Sequence, residues 1–113
     1  MKVIVAGGRD FVPEEKHRIW LVEQLEKLGC TEVVCGEARG ADAFGKEIAG
    51  EMGIPVKSFP PDWNKHGKFA GIVRNGDMAV YADALVAFPG GRGTLNMISA
   101  AYRQGLITVR FVN

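Results

Sequence analysis

The chain has almost no excess of charge: fourteen basic residues stand against thirteen acidic ones, a formal net charge of +1. That balance argues against a broad electrostatic grip on a nucleic-acid backbone, while leaving room for a local basic pocket. Cysteine is scarce too. Cys30 and Cys35 are the only two; without companion histidines they form no zinc site, and they read as reduced, buried thiols of a cytoplasmic protein. Neither a metal nor a resident cofactor is expected. No apolar run approaches the roughly 20 residues of a membrane-spanning helix. Val3–Ala6 is far too short for the apolar core of a secretion signal. The triphosphatase loop is missing as well, since no Gly-Lys-Ser or Gly-Lys-Thr occurs.

Glycine, by contrast, is abundant, with fifteen in 113 residues, about twice ordinary usage. The length suits one domain, spanning residues 1–113, with a single core. Apolar runs alternate with amphipathic stretches. Val3–Ala6 is a continuous apolar strand stopped by Gly7-Gly8. Pro13 opens a first helix, followed by Glu14 and Glu15, with Ile19, Val22, Leu25 and Leu28 as its stripe and Gly29 as its end. Strand 32–35, helix 41–52 and strand 54–59 follow. A polar loop from Pro60 leads into helix 68–82, whose inward residues are Ile72, Val73, Met78, Ala79 and Ala82. After strand 84–88 come Pro89-Gly90-Gly91-Arg92-Gly93, then a helix capped by Thr94 with Leu95, Ile98 and Tyr102 inward, and a last strand 107–112.

This alternation predicts an α/β fold: a single Rossmann-like domain with a parallel five-stranded sheet in the order 3-2-1-4-5 and helices on both faces. Ligands of such sheets bind beyond the carboxyl ends of the strands, where the winding reverses. Here the reversal falls between strands 1 and 4, the two followed by Gly7-Gly8 and by Gly90-Gly91-Arg92-Gly93.

The candidate site residues cluster after the strands. Gly90, Gly91 and Gly93 permit close backbone approach to an anion, and the helix that follows adds free amides and the positive end of its dipole. Thr94 can cap that helix or turn its hydroxyl to a phosphate, and Arg92 lies within the loop. After strand 1, Gly7 and Gly8 can admit a phosphate or ribose; Arg9 and Asp10 either contact it or pair in a turn. This loop lacks the third glycine of the dinucleotide fingerprint. After strand 2, Glu37 is placed to hold ribose hydroxyls and Arg39 to reach the crevice; Asp42 either caps a helix or accepts from a ligand hydroxyl. Trp63 can stack on a base or anchor its loop, and His66 reads as solvated. Arg74 and Asn75 lie on the third helix. An arginine in that fairly apolar stretch needs a partner, either a phosphate or a carboxylate such as Asp42 or Asp83.

Taken together, Gly-Gly-Arg-Asp-Phe (7–11), Gly-x-Ala-Arg-Gly-Ala-Asp (36–42), Trp63…Gly67, Ala70-Gly71…Arg74-Asn75…Met78 and Pro-Gly-Gly-x-Gly-Thr (89–94) resemble the YspA-like branch of the SLOG superfamily. That superfamily groups DprA/Smf proteins with the LOG phosphoribohydrolases. The resemblance implies a Rossmann-like fold and a small nucleotide-derived ligand, either a nucleoside monophosphate or one related to ADP-ribose or NAD. It also implies a homodimer or higher homo-oligomer, and it makes small phage-encoded members plausible. Arg74, Met78, Asp83 and residues 89–94 are spaced as in LOG enzymes, in which the equivalent arginine serves the active site. The LOG catalytic glutamate, three residues beyond the threonine, is replaced here by Met97. The expectation is therefore a binding module, sensor or sequestering, with nucleotide N-glycosidic hydrolysis as the alternative.

Overall fold

A computed structural model describes residues 1–112. Its elements are β1 (Lys2–Ala6), α1 (Glu15–Lys27), β2 (Glu32–Cys35), α2 (Ala41–Met52), β3 (Val56–Ser58), α3 (Trp63–His66), a 3-10 turn (Gly67–Phe69), α4 (Ala70–Tyr81), β4 (Ala84–Ala87), α5 (Arg92–Arg103) and β5 (Ile107–Arg110). The sheet is wholly parallel, in the order β3-β2-β1-β4-β5, as the strand–helix alternation predicts.

Alternate residues of the central strands face opposite layers. Val3, Val5, Val33 and Val86 pack with Leu21, Leu25, Phe44 and Ile48 of α1 and α2. Ile4, Val34 and Leu85 pack with Met78, Met97 and Ile98 of α4 and α5. All these strand residues are fully buried, which is why β1 and β4 read as unbroken apolar runs. Each such side chain contributes roughly 1.5–3 kcal/mol by burial. No helix among the described residues is long and apolar enough to cross a membrane.

The helices depart from their predicted phases in informative ways. Glu14, not Pro13, borders α1: it is the N-cap, and its amide donates to His17 Nδ1 at 2.8 Å. Pro13 lies outside the helix. The buried stripe of α1 is His17, Leu21 and Leu25, while Ile19 is exposed. The period was masked because His17 is a core residue, its ring set among Phe11, Phe88 and Phe111. β3 is shorter than the 54–59 run. The polar loop before the third predicted helix contains the short helix α3, capped by the Asp62 carboxylate accepting from Lys65 N at 3.0 Å. Ile72 is exposed rather than inward. Thr94 is not a cap: α5 begins two residues earlier with Gly91 as its N-cap, so Thr94 is buried and Leu95 and Tyr102 face outward. Arg92 and Gly93 carry no apolar signal, so the first half-turn is invisible to periodicity.

Candidate functional site

Three loops meet beyond the carboxyl ends of β1, β2 and β4. Gly8 N donates to Pro89 O at 2.9 Å, and Gly8 O accepts from Phe11 N and Ala41 N, each at 3.2 Å. The turns after the first and fourth strands are thus joined directly, and the start of α2 is tied to the first of them. Glycine is needed at Gly7, Gly40 and Gly90 for this contact. A Cβ on Gly7 would lie 2.6 Å from Ala41 Cβ and 2.9 Å from Phe88 Cβ. Gly40 has φ +75° and faces the backbone of Gly8 and Arg9.

The junction opens into a cleft of about 500 Å³. One wall is the Gly7–Asp10 turn together with the first turn of α5; α3 and α4 form the other. The first helical hydrogen bond of α5 runs from Leu95 N to Gly91 O. The amides of Arg92, Gly93 and Thr94 therefore have no helical partner, and the N-cap Gly91 has no side chain to cap them. This is the electropositive end of the helix dipole. Four cationic side chains line the cleft (Arg9, Lys68, Arg74 and Arg92), against two carboxylates, Asp10 and Asp42. Among the described residues, Arg9, Lys68 and Arg92 have no carboxylate within 4 Å. A nearly neutral chain thus concentrates positive charge at one place.

Most of the predicted residues line this cleft: Gly7, Gly8, Arg9, Asp10, Asp42, Trp63, Arg74, Asn75, Gly91, Arg92, Gly93 and Thr94. Gly90 does not; it packs against Gly8 N and the Thr94 hydroxyl beneath the loop. Glu37 is not on the wall either. Its positive φ of 61° turns its carboxylate to Ser58 and Lys46, which hold that carboxyl below its usual range. Arg39 reaches Asp10 at 3.0 Å, with both side chains mostly exposed, so Asp10 pairs with Arg39 and not with its neighbour Arg9. Asp42 is no helix cap. It follows the N-cap Gly40 by two residues, and its Oδ2 accepts from Gly36 N at 3.1 Å and Ala38 N at 3.3 Å. Burial nevertheless pushes its carboxyl up, against those two bonds and the Arg74 charge.

Arg74 has partners on the chain itself. Its guanidinium donates to the carbonyls of Gly36 and, at 3.4 Å, Phe59; Nε donates to Asn75 Oδ1 at 3.0 Å. Neither Asp42 nor Asp83 forms an ion pair with it; Asp83 instead accepts from Lys2 N. Burial lowers the Arg74 pKa, and the nearby Asp42 charge opposes that shift. Asn75 is buried and bridges α4 to α5 through Gly93 O at 3.3 Å and Asn96 Oδ1 at 2.9 Å. Lys68, Gly71, Ile72, Met78, Asn96 and Met97 also lie on the walls though none is among the site candidates read from the sequence; Gly71, Met78 and Met97 are marked there only by the family resemblance. Helical spacing offered a route to some of them: Gly71, Arg74 and Met78 share one face, as do Gly93, Asn96 and Met97.

A family model described as the YspA, cpYpsA-related SLOG family matches residues 1–66, from β1 through α3. The chain is 33% identical over 122 aligned positions to the Gene 61 protein of Mycobacterium phage D29, covering 97% of this chain and 95% of that protein. No solved structure matches it significantly. With more than half its length matched by the family model, and with loops 7–11 and 36–42 inside the match, the chain belongs to the YspA, cpYpsA-related SLOG family.

Proposed function

We propose that the cleft holds a nucleotide-derived ligand, either an ADP-ribose or NAD-related molecule or a nucleoside monophosphate. Its phosphate rests on the first turn of α5, and the protein acts as a sensor or sequestering module. Family membership points to a nucleotide-related ligand or related function. The observation that carries the finer reading concerns two glycines. A Cβ on Gly91 or Gly93 would meet nothing within 4 Å, and neither residue has a positive φ. The chain's own packing does not require glycine at either position. Bare backbone beside three unpaired amides and unpaired cations does suit an anion that must come close. Opposite it, Trp63, Ile72 and Met78 offer an apolar surface for a base.

Binding without cleavage is favoured by the carboxylates. Met97 is buried on the cleft wall, Asp10 is paired with Arg39, and one oxygen of Asp42 is engaged by backbone amides. One observation supports a second reading, N-glycosidic hydrolysis. Asp42 is a cleft carboxyl whose pKa is raised by burial, a common property of a general acid.

Calorimetry with AMP, ADP-ribose and NAD, followed by mass spectrometry of the recovered ligand, tests both readings. One-to-one binding with unchanged ligand is expected for at least one of them. Gly93→Ala is expected to raise stability by ~0.5–1 kcal/mol, as alanine does within helices. The same variant should lose about tenfold or more in affinity as its Cβ holds the phosphate off the amides. Unaltered affinity would remove the loop from the site. Release of free base that Asp42→Asn abolishes would establish the enzyme instead.

A further inference from the structure

The side chains of Arg74, Asn75 and Asn96 form a chain of hydrogen bonds whose direction is fixed at both ends. Arg74 Nε can only donate, so the atom it meets at 3.0 Å must be the oxygen of Asn75. Gly93 O can only accept, so the atom facing it at 3.3 Å must be the nitrogen of Asn75. That same nitrogen lies 2.9 Å from Asn96, which therefore has to present its oxygen to it. The orientation of Asn96 follows without any choice: its carbonyl is engaged inward, and its NH2 group is left as a pure donor. Asn96 is half-buried on the cleft wall; among the described residues no hydrogen bond engages that nitrogen, which is accessible rather than a buried orphan.

Asn96 lies three residues beyond Gly93 on α5, a rise of ~4.5 Å along the helix. A sugar esterified to a phosphate on the first turn would occupy this depth. The adjacent wall residue Met97 offers only a thioether sulfur, a weak acceptor and no donor. On the Gly36 side, Asp42 Oδ2 holds the loop, and among the described residues no hydrogen bond reaches its Oδ1. The cleft thus sets a fixed neutral donor and an open acceptor beyond the phosphate position.

We propose that Asn96 selects ribosyl phosphates over simple phosphates by donating its side-chain NH2 to a sugar oxygen, with Asn75 and Arg74 as the positioning residues that hold it in the donor orientation. This rests on the reading of the α5 turn as the phosphate site.

The decisive variant is Asn96→Asp. It keeps an oxygen for Asn75 Nδ2 to donate to and replaces the outward donor by a charged acceptor, so the inward bond of a structural role would survive the change, and the inorganic phosphate arm reads the effect of the charge alone. Binding of AMP, ribose 5-phosphate and inorganic phosphate is measured by calorimetry for parent and variant. AMP and ribose 5-phosphate should each lose at least about tenfold, and inorganic phosphate far less, so that the preference for the sugar ester collapses. An equal loss for all three would mean that the new charge repels anions generally, and no loss would mean a structural role; either result overturns the inference. A parent protein that binds neither AMP nor ADP-ribose would overturn the phosphate-site reading and this inference with it, whereas binding that is indifferent to Asn96→Asp would overturn only the inference. Should the variant not fold, the side-chain ¹⁵N resonance of Asn96 in the parent serves instead. It should move on adding AMP and stay in place with inorganic phosphate; the reverse pattern, or no movement with AMP, contradicts the proposal.

Discussion

Arg74→Ala is expected to cost about 3 kcal/mol of stability and to weaken phosphate-ester binding about tenfold or more. The two losses have one origin. Arg74 joins the carboxyl ends of β2 and β3 through the carbonyls of Gly36 and Phe59, and it orients Asn75. Deleting it leaves those acceptors short of a donor in a part of the molecule that is mostly buried, which is costlier than losing an exposed ion pair. It also frees the carbonyl of Gly36, leaving that residue held only by the bond from its N–H to Asp42, and so loosens the cleft wall. Arg74→Lys separates charge from geometry. A lysine keeps the cation but cannot reproduce the planar fork that serves two carbonyls and an amide at once. It should restore part of the affinity and less of the stability. A melting temperature for Arg74→Ala equal to that of the parent would show that these bonds are dispensable.

Gly40→Ala is expected to be at least as damaging, with a loss of about 3 kcal/mol or more and a fall in melting temperature on the order of 10 °C. The position has φ +75°, and an added Cβ would stand 2.6 Å from Arg9 O, against backbone that no rotamer change can clear. The strain falls on the junction itself, because Ala41 N reaches Gly8 O at 3.2 Å. Ligand binding should fall with it. Gly50→Ala is the control: it lies within α2, the helix that Gly40 caps, with nothing within 4 Å of its Cβ position, and should leave stability unchanged or raise it by ~0.5–1 kcal/mol. Equal behaviour of the two variants in thermal and denaturant unfolding would contradict the close approach of the loops.

How far the sequence could be read depended on the kind of interaction. β1 and β4 are buried on both faces, so Val3–Ala6 and Ala84–Ala87 show as continuous apolar runs, and glycines directly after them mark the loops. The sheet order and the meeting of Gly8 with Pro89 follow from those runs and from the short crossovers. Roles that depend on side chain-to-backbone bonds were hidden. Nothing in the spacing shows that Asp42 ties down Gly36 and Ala38, or that Arg74 is occupied by carbonyls from two strands. Glu37 was misplaced because its left-handed backbone turns the side chain away from the crevice. Helix phase failed where polar or glycine residues carry it, as at His17 in α1 and at Arg92-Gly93 in α5. Arg92 and Gly93, which obscured the phase of α5, are also residues that build the candidate site.

The most direct test is a ¹H–¹⁵N titration of the protein with AMP and with ADP-ribose, following the backbone amides of Arg92, Gly93 and Thr94. These three should show the largest shifts of all backbone amides, saturating with a single affinity, while amides at the far end of the sheet, such as Thr31 and Asp83, stay still. Saturable binding that leaves those three amides unmoved would place the phosphate elsewhere and contradict the account.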